Sequence, residues 1–175
     1  IFANEEKAKE ITDTPVWIRD HITVHREETF NVFGYTEEYP VAMTHRFAAE
    51  QLYKRNGIDD AVEYFDVFEM YDPSAWWGAD WLKEFMLFEN DEHLEMIENG
   101  DTAIGGKLPI CPSGGVTAAN PIGATAMVRV AEAALQVRGN AGGHQIPTPV
   151  NHALASGFGG TMWTVLIMLE KDLNW

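Results

Sequence analysis

Residues 161–169 form a near-continuous apolar run, from Thr161 through Trp163, Val165 and Ile167 to Leu169. Such a run suits a strand buried on both faces. A strand of that kind lies in a sheet with helices on each side, so the rest of the chain must supply them. It does so in alternation. Residues 4–11 read as a short helix with Asn4 as its cap and Glu5 and Glu6 in the first turn. Residues 16–25, rich in β-branched and aromatic side chains, read as a strand. A loop spans 26–39, and an amphipathic helix spans 41–55, stopped by Asn56-Gly57. A second strand is expected over 61–71 and an aromatic-faced helix over 75–88. The helix over 124–138 is the clearest, with Met127, Val128, Ala131, Ala134 and Leu135 as its apolar positions. The expected fold class is therefore α/β: one mixed sheet with helices on both faces.

Charge narrows the function. Twelve Lys and Arg against 27 Asp and Glu give a net charge of −15 over 175 residues, a field that repels phosphate backbones and anionic lipid. Nucleic acid and membrane surfaces are excluded as partners on this ground. The acidic stretch over 83–101 reads as solvated surface. A lone Cys111 rules out an internal disulfide and any multi-cysteine metal cage. No segment reaches the roughly 18 apolar residues of a spanning helix, and the charged residues 5–10 do not fit a signal peptide, so the chain reads as cytoplasmic. Ile1-Phe2-Ala3 resembles the end of a buried strand, which suggests that the chain begins within a longer protein.

Three motifs fail on chemistry. The segment Gly100 to Leu108 resembles a phosphate loop, but Lys107 is one place late and Leu108 replaces the metal-binding hydroxyl. His93-Leu94-Glu95 ahead of Cys111 lacks the second thiolate of a zinc deaminase. His21 and His25 are too few to fix a metal, and no metal site is assigned. Trp76, Trp77 and Trp81 read as core or subunit contact, with a lipophilic acyl pocket as the alternative.

Four glycine-bearing turns remain: Ser113-Gly114-Gly115, Asn120-Pro121-Ile122-Gly123, Gly142-Gly143, and Ser156-Gly157-Phe158-Gly159-Gly160. Glycine there lets a ligand or another backbone approach closely. The second turn opens the 124–138 helix, whose free amides favour negative charge beside Asn120. Tight helix-on-sheet packing explains the same turns without chemistry.

Pro109-Ile110-Cys111-Pro112-Ser113-Gly114-Gly115, then Ala119-Asn120-Pro121-Ile122-Gly123-Ala124-Thr125-Ala126, then Ala131 through Leu135-Gln136-Val137-Arg138-Gly139-Asn140-Ala141-Gly142 closely resemble the C-terminal domain of the thiolase superfamily. The resemblance is nearest to the sterol-carrier-protein-type branch, with its Asn-Pro-Ser-Gly-Gly, Gly-His-Pro-x-Gly-Ala-Thr-Gly and Gln-Leu-Arg-Gly-x-Ala-Gly patterns. It implies two similar α/β domains stacked in five layers, residues 1–15 ending the first and 16–175 forming the second. The family's nucleophilic cysteine belongs to the first domain and is not Cys111, so the resemblance implies that this chain alone is inactive.

Departures from the pattern concern catalysis. Asn120 stands where the family has the histidine of Gly-His-Pro, and Tyr71, in Met70-Tyr71-Asp72-Pro73, where it has the oxyanion-hole Asn or His. Both can donate a hydrogen bond to a developing oxyanion. Ser156 is nearest the last catalytic position, with His152 upstream as a titrating base. Cys111, Ser113, Gly114, Gly115, Gly159 and Gly160 are the implied substrate-binding positions. The implied activity is that of an acetyl-CoA acetyltransferase-like acyl-CoA C-acyltransferase, by Claisen condensation or thiolysis, with coenzyme A as substrate and no covalently bound cofactor. Its implied partners are the N-terminal thiolase half, a second copy in a homo-oligomer, and a zinc-ribbon and OB-fold accessory subunit. A thiolase-fold retro-aldolase acting on a CoA ester through Tyr71, and a non-catalytic scaffold, are the alternatives.

Overall fold

The computed structural model describes residues 1–25, 42–159 and 163–172. The expected loop over 26–39, the start of the second helix at Val41, Gly160 and the first residues of the final strand lie outside these. Helix α1 (Glu5–Ile11) begins as its sequence dictates, with Asn4 Oδ1 accepting the Lys7 N–H at 2.9 Å. Strand β1 (Trp17–His25) and helix α2 (Ala42–Asn56) follow.

The expected strand over 61–71 is split. Asp60 Oδ1 accepts the N–H groups of Val62 and Glu63, at 2.9 and 3.1 Å, and turns the first residues into helix α3 (Ala61–Tyr64). Only Val67–Glu69 remains extended, as β2. A local cap has overridden strand propensity. Helix α4 (Ala75–Phe85) is capped by Ser74 and stops short of residue 88, where Leu87 takes a positive φ of 62°. The acidic stretch contains helix α5 (Glu92–Asn99), which buries His93 and Met96 while its acids face outward. The solvated-surface reading therefore holds for the charges and misses the helix.

Helix α6 (Gly115–Ala118) and a 3-10 turn over Ile122–Ala124 lead into α7 (Thr125–Val137). A second 3-10 turn, Gly142–His144, precedes β3 (His152–Gly159), and β4 (Trp163–Glu170) ends the fold. The glycine-rich Ser156 to Gly159 segment is thus interior strand rather than loop. A Cβ on Gly157 would lie 2.6 Å from Ala126 Cβ and 2.8 Å from Val165 Cγ1, so glycine here is what lets α7 and β4 close on β3.

The four strands order as β1-β4-β3-β2, antiparallel except for the parallel β2–β3 pair. Alternate residues feed two cores. Phe68, Leu154, Leu166 and Met168 pack under α2, α4 and α5, while Val67, Ala153, Ala155 and Leu169 pack under α7 with Val130, Ala133 and Val137. Helices cover both faces of one mixed sheet, as the buried final strand requires.

The buried face of α7 differs from the expected one. Thr125, Arg129, Val130, Ala133, Gln136 and Val137 point inward, whereas Met127 is 53% exposed. Three polar residues can be buried because each finds partners: the Thr125 hydroxyl donates to Asn120 Oδ1, Arg129 pairs with Glu69, and Gln136 Nε2 donates to the His144 carbonyl while its Oε1 accepts the Ile146 N–H.

Candidate functional site

Parallel pairing sets the C-terminal end of β2, Glu69, beside Ala155 in the middle of β3. Beyond β2 the chain continues into Met70, Tyr71 and Asp72, and the Tyr71 N–H donates to Ser156 Oγ at 2.8 Å. Ser156 is buried, so its hydroxyl holds the Tyr71 main chain. On the outer side Ile110 bridges Phe68 in parallel, and the Cys111 N–H donates to the Phe68 carbonyl at 2.8 Å. Cys111 Sγ lies 3.2 Å from both the N and the O of Met70, accepting from one and donating to the other. Its φ of 48° bends the chain into the turn at Ser113, Gly114 and Gly115. Gly115, at φ 65°, opens α6 where a Cβ would strike the Asp72 carboxylate, and Asp72 Oδ1 accepts the next amide, Val116 N–H, at 2.6 Å.

The start of α7 reaches the same edge through Ala126, packed on Gly157. Just before it, Asn120 Oδ1 accepts the Ile122 N–H at 3.2 Å and the Thr125 hydroxyl at 2.7 Å. Those bonds use the carbonyl and leave the exposed side-chain NH2 able to donate. Tyr71, Ser156, Cys111, Ser113, Gly114 and Gly115 therefore gather at one edge of the sheet, with Gly159 at the end of β3, while Asn120 stands at the entry to α7 and the Tyr71 ring packs with Phe158 on the α2 and α4 side. His152 does not join them. It begins β3, its N–H donates to Asp66 Oδ2 at 2.9 Å, and its ring stacks on Tyr64 with centroids 4.5 Å apart. Ser156 lies four strand residues further on, about 13 Å away.

Beneath this edge sits a polar network absent from the sequence reading. Glu69, fully buried at the end of β2, accepts from Arg129 Nη1 at 2.8 Å, from Ser113 Oγ at 2.7 Å and from the Ser113 N–H at 3.1 Å. Arg129 Nη1 also donates to Ser113 Oγ at 2.7 Å. Ser113's side chain is thus committed inside the protein. Burial raises the carboxyl pKa of Glu69, against the lowering effect of Ser113 and Arg129, and burial likewise raises that of Asp72. The Cys111 thiol is pushed well above its ordinary value, by burial first and by Asp72 and Glu69 next, so it stays neutral.

On the opposite face of the sheet, His45 of α2 is fully buried in an aromatic cage. It stacks on Phe85 at 4.6 Å, meets Trp81 and Phe158 edgewise at 4.3 and 5.4 Å, and bonds Thr164 Oγ1 through Nδ1 at 2.6 Å. Burial lowers its pKa to about 3. Phe158 is 6.1 Å from the Tyr71 ring, and Trp77 stacks on Trp81 at 5.2 Å. Of the tryptophan cluster, Trp81 is core and Trp76 is 79% exposed.

Among the described residues no three His, Cys, Asp or Glu side chains come together as a metal site. His21 and His25, four apart on β1, stand about 13 Å apart. No described helix is long and apolar enough to cross a membrane. A cleft of about 810 Å³ lies at the far end of the sheet, lined by Lys9, Trp17, Arg138, Pro147 and Lys171, away from Tyr71.

A family model described as "Thiolase C-terminal domain-like" matches residues 35–171. The chain belongs to that thiolase family. Among its relatives is an acetyl-CoA acetyltransferase of Methanothermobacter thermautotrophicus, 30% identical over 153 residues, which span 83% of this chain and 37% of the relative. Human sterol carrier protein 2 is 31% identical over 127 residues, 68% of this chain and 22% of that protein. This thiolase-family chain thus spans well under half the length of these curated relatives. Its fold is shared with a solved structure titled "Ltp2-ChsH2(DUF35) aldolase", at TM-score 0.75 and 20% identity over 98% of this chain and 43% of that one.

Proposed function

We propose that this chain is the C-terminal half of a thiolase-type acyl-CoA C-acyltransferase, which condenses acyl units or cleaves a 3-oxoacyl-CoA with coenzyme A as substrate. The observation that carries this reading is the Asn120 side chain, whose carbonyl is held by Ile122 and Thr125 at the entry to α7 while its NH2 stays available, together with the hold of Ser156 on the Tyr71 main chain. Charge builds on the thioester or ketone oxygen as the carbon–carbon bond forms or breaks. Donors fixed beforehand stabilise that charge without reorganising. The Tyr71 phenol and the Asn120 amide take this role, and the loop at Cys111, Ser113, Gly114 and Gly115 borders the substrate through its backbone. Cys111, neutral and bonded to Met70, is not the acyl carrier. The nucleophilic cysteine comes from the N-terminal thiolase half, in the same polypeptide or a partner chain. A homo-oligomer and a zinc-ribbon and OB-fold accessory subunit complete the proposed assembly.

A retro-aldolase acting on a CoA ester is the second reading, favoured by a phenol at Tyr71 beside a thiol that does not ionise. Single-turnover reaction of the assembled enzyme with candidate acyl-CoA esters separates the two. Thiolase chemistry needs free CoA to complete cleavage and leaves an acyl-enzyme detectable by mass spectrometry; aldol cleavage needs neither. No turnover of any ester by the full assembly would favour a scaffold.

A further inference from the structure

The two proposed oxyanion donors stand on different elements, Tyr71 just beyond β2 and Asn120 just before α7. Their spacing therefore depends on how those elements are joined. The joint is ionic. Arg129, one turn into α7 and 1% exposed, reaches across to Glu69, two residues before Tyr71 and fully buried. One nitrogen, Nη1, bonds both Glu69 Oε2 and Ser113 Oγ, and Ser113 returns its hydroxyl and its N–H to the two carboxylate oxygens. Between this joint and Gln136 near the far end of α7, the helix packs on the sheet through the apolar Val130, Ala133 and Val137 against Val67, Ala153, Ala155 and Leu169.

Stability alone does not account for this choice. Two charges in a dry interior carry a desolvation cost that well-packed apolar side chains of similar volume avoid. Here that cost is compounded, because Arg129 Nε is buried with no partner among the described residues. What the pair supplies, and an apolar contact lacks, is direction: short charge-assisted bonds with fixed angles hold α7 against β2 in one register. We propose that Arg129 and Glu69, bridged by Ser113, are positioning residues that set the distance between Asn120 and Tyr71. The proposal rests on the assignment of those two donors, and it makes no claim that Arg129 or Glu69 touches substrate.

The test uses the assembled enzyme and replaces both charges at once, Glu69→Leu with Arg129→Met, so that neither partner is left buried and unpaired. The double variant is expected to keep its Tm within a few degrees, to lose at least about 10-fold in kcat and to hold KM within about 3-fold. A mutant cycle with Tyr71→Phe adds a readout that a purely structural pair would not move. If the strut acts through Tyr71, the loss caused by Tyr71→Phe shrinks in the strut-free background. A folded double variant with wild-type kcat, or strictly additive losses, overturns the proposal. Should the double variant not fold, Arg129→Lys decides. It keeps a charge beside Glu69 but gives up the planar guanidinium whose fixed angles set the register, and wild-type kcat there overturns the proposal equally. Tyr71→Phe and Asn120→Ala, measured alone, separate the two levels: impaired donors with an indifferent strut refute only the strut, whereas indifferent donors remove the oxyanion reading and the strut with it.

Discussion

At Asn120 the two ends of one side-chain amide have separate duties. The carbonyl caps the turn into α7, and the NH2 is the proposed donor to the reacting oxygen. Replacement by Ala removes both, and kcat should fall by about 100-fold or more with little change in KM. A cap loss of about 1 kcal/mol should accompany it. Asn120→Asp separates the duties, since a carboxylate still accepts from Ile122 and Thr125 but donates nothing. It should keep the wild-type Tm while losing kcat, and a fully active Asp variant would leave the residue a cap only. His45 gives a second prediction at this scale. Its folded pKa lies near 3 against an ordinary 6.5, so the neutral form is favoured on folding. The stability this gives is complete above about pH 6.5 and is lost as pH falls toward 3, by up to roughly 5 kcal/mol. Urea titrations should show His45→Phe, which keeps the aromatic stacking, flattening the decline between pH 6.5 and 5. An unchanged slope would mean that other groups control it.

Among the elements, β3 is the one whose small residues matter most. Gly157→Ala places a methyl where Ala126 and Val165 already sit, and should cost about 1–3 kcal/mol in urea unfolding. Gly123→Ala, with nothing near its Cβ, should cost far less. This strand also shows where the sequence could mislead. Ser156, Gly157 and Gly159 carry the composition of a turn, and only the partners brought in by tertiary packing show that glycine there serves close approach. β4 and α1 were legible because their cues are local: a near-continuous apolar run, and a cap three residues from the N–H that donates to it. The period of α7 was legible too, but its face was not, since Arg129 faces inward only because Glu69, 60 positions earlier, meets it. The proposed site divides likewise. Tyr71, Asn120 and the turn at Cys111 could be found by motif, while Glu69, Asp72 and Arg129 act through pairings that no local pattern displays. His152 was misplaced because nearness along the chain to Ser156 became a full strand length once that segment was extended.

On the scale of the whole molecule, helix α1 finds no apolar cover among the described residues. Helix α1 is seven residues long and buries none of them, and a helix that short does not hold in water on its own. Ile11 at its end and Ile1 and Phe2 ahead of it are exposed. Its cap is worth about 1 kcal/mol and the exposed ion pairs Lys7–Glu10 and Lys9–Glu5 a few tenths of a kcal/mol each. Such a helix needs apolar cover, and the proposed N-terminal half would provide it, consistent with relatives of which this chain spans 37% and 22%. Hydrogen exchange tests this directly. In the 175-residue chain alone the amides of α1 should exchange almost as freely as an unfolded peptide, while those of β3 and β4, interior to the sheet, should be protected up to the global unfolding limit. In the assembled enzyme α1 should become protected, and light scattering should report a homo-oligomer. If the isolated chain is instead a monodisperse 19.6 kDa monomer with α1 as slow to exchange as β3, then this helix needs no cover and the proposed pairing of halves loses its structural motive.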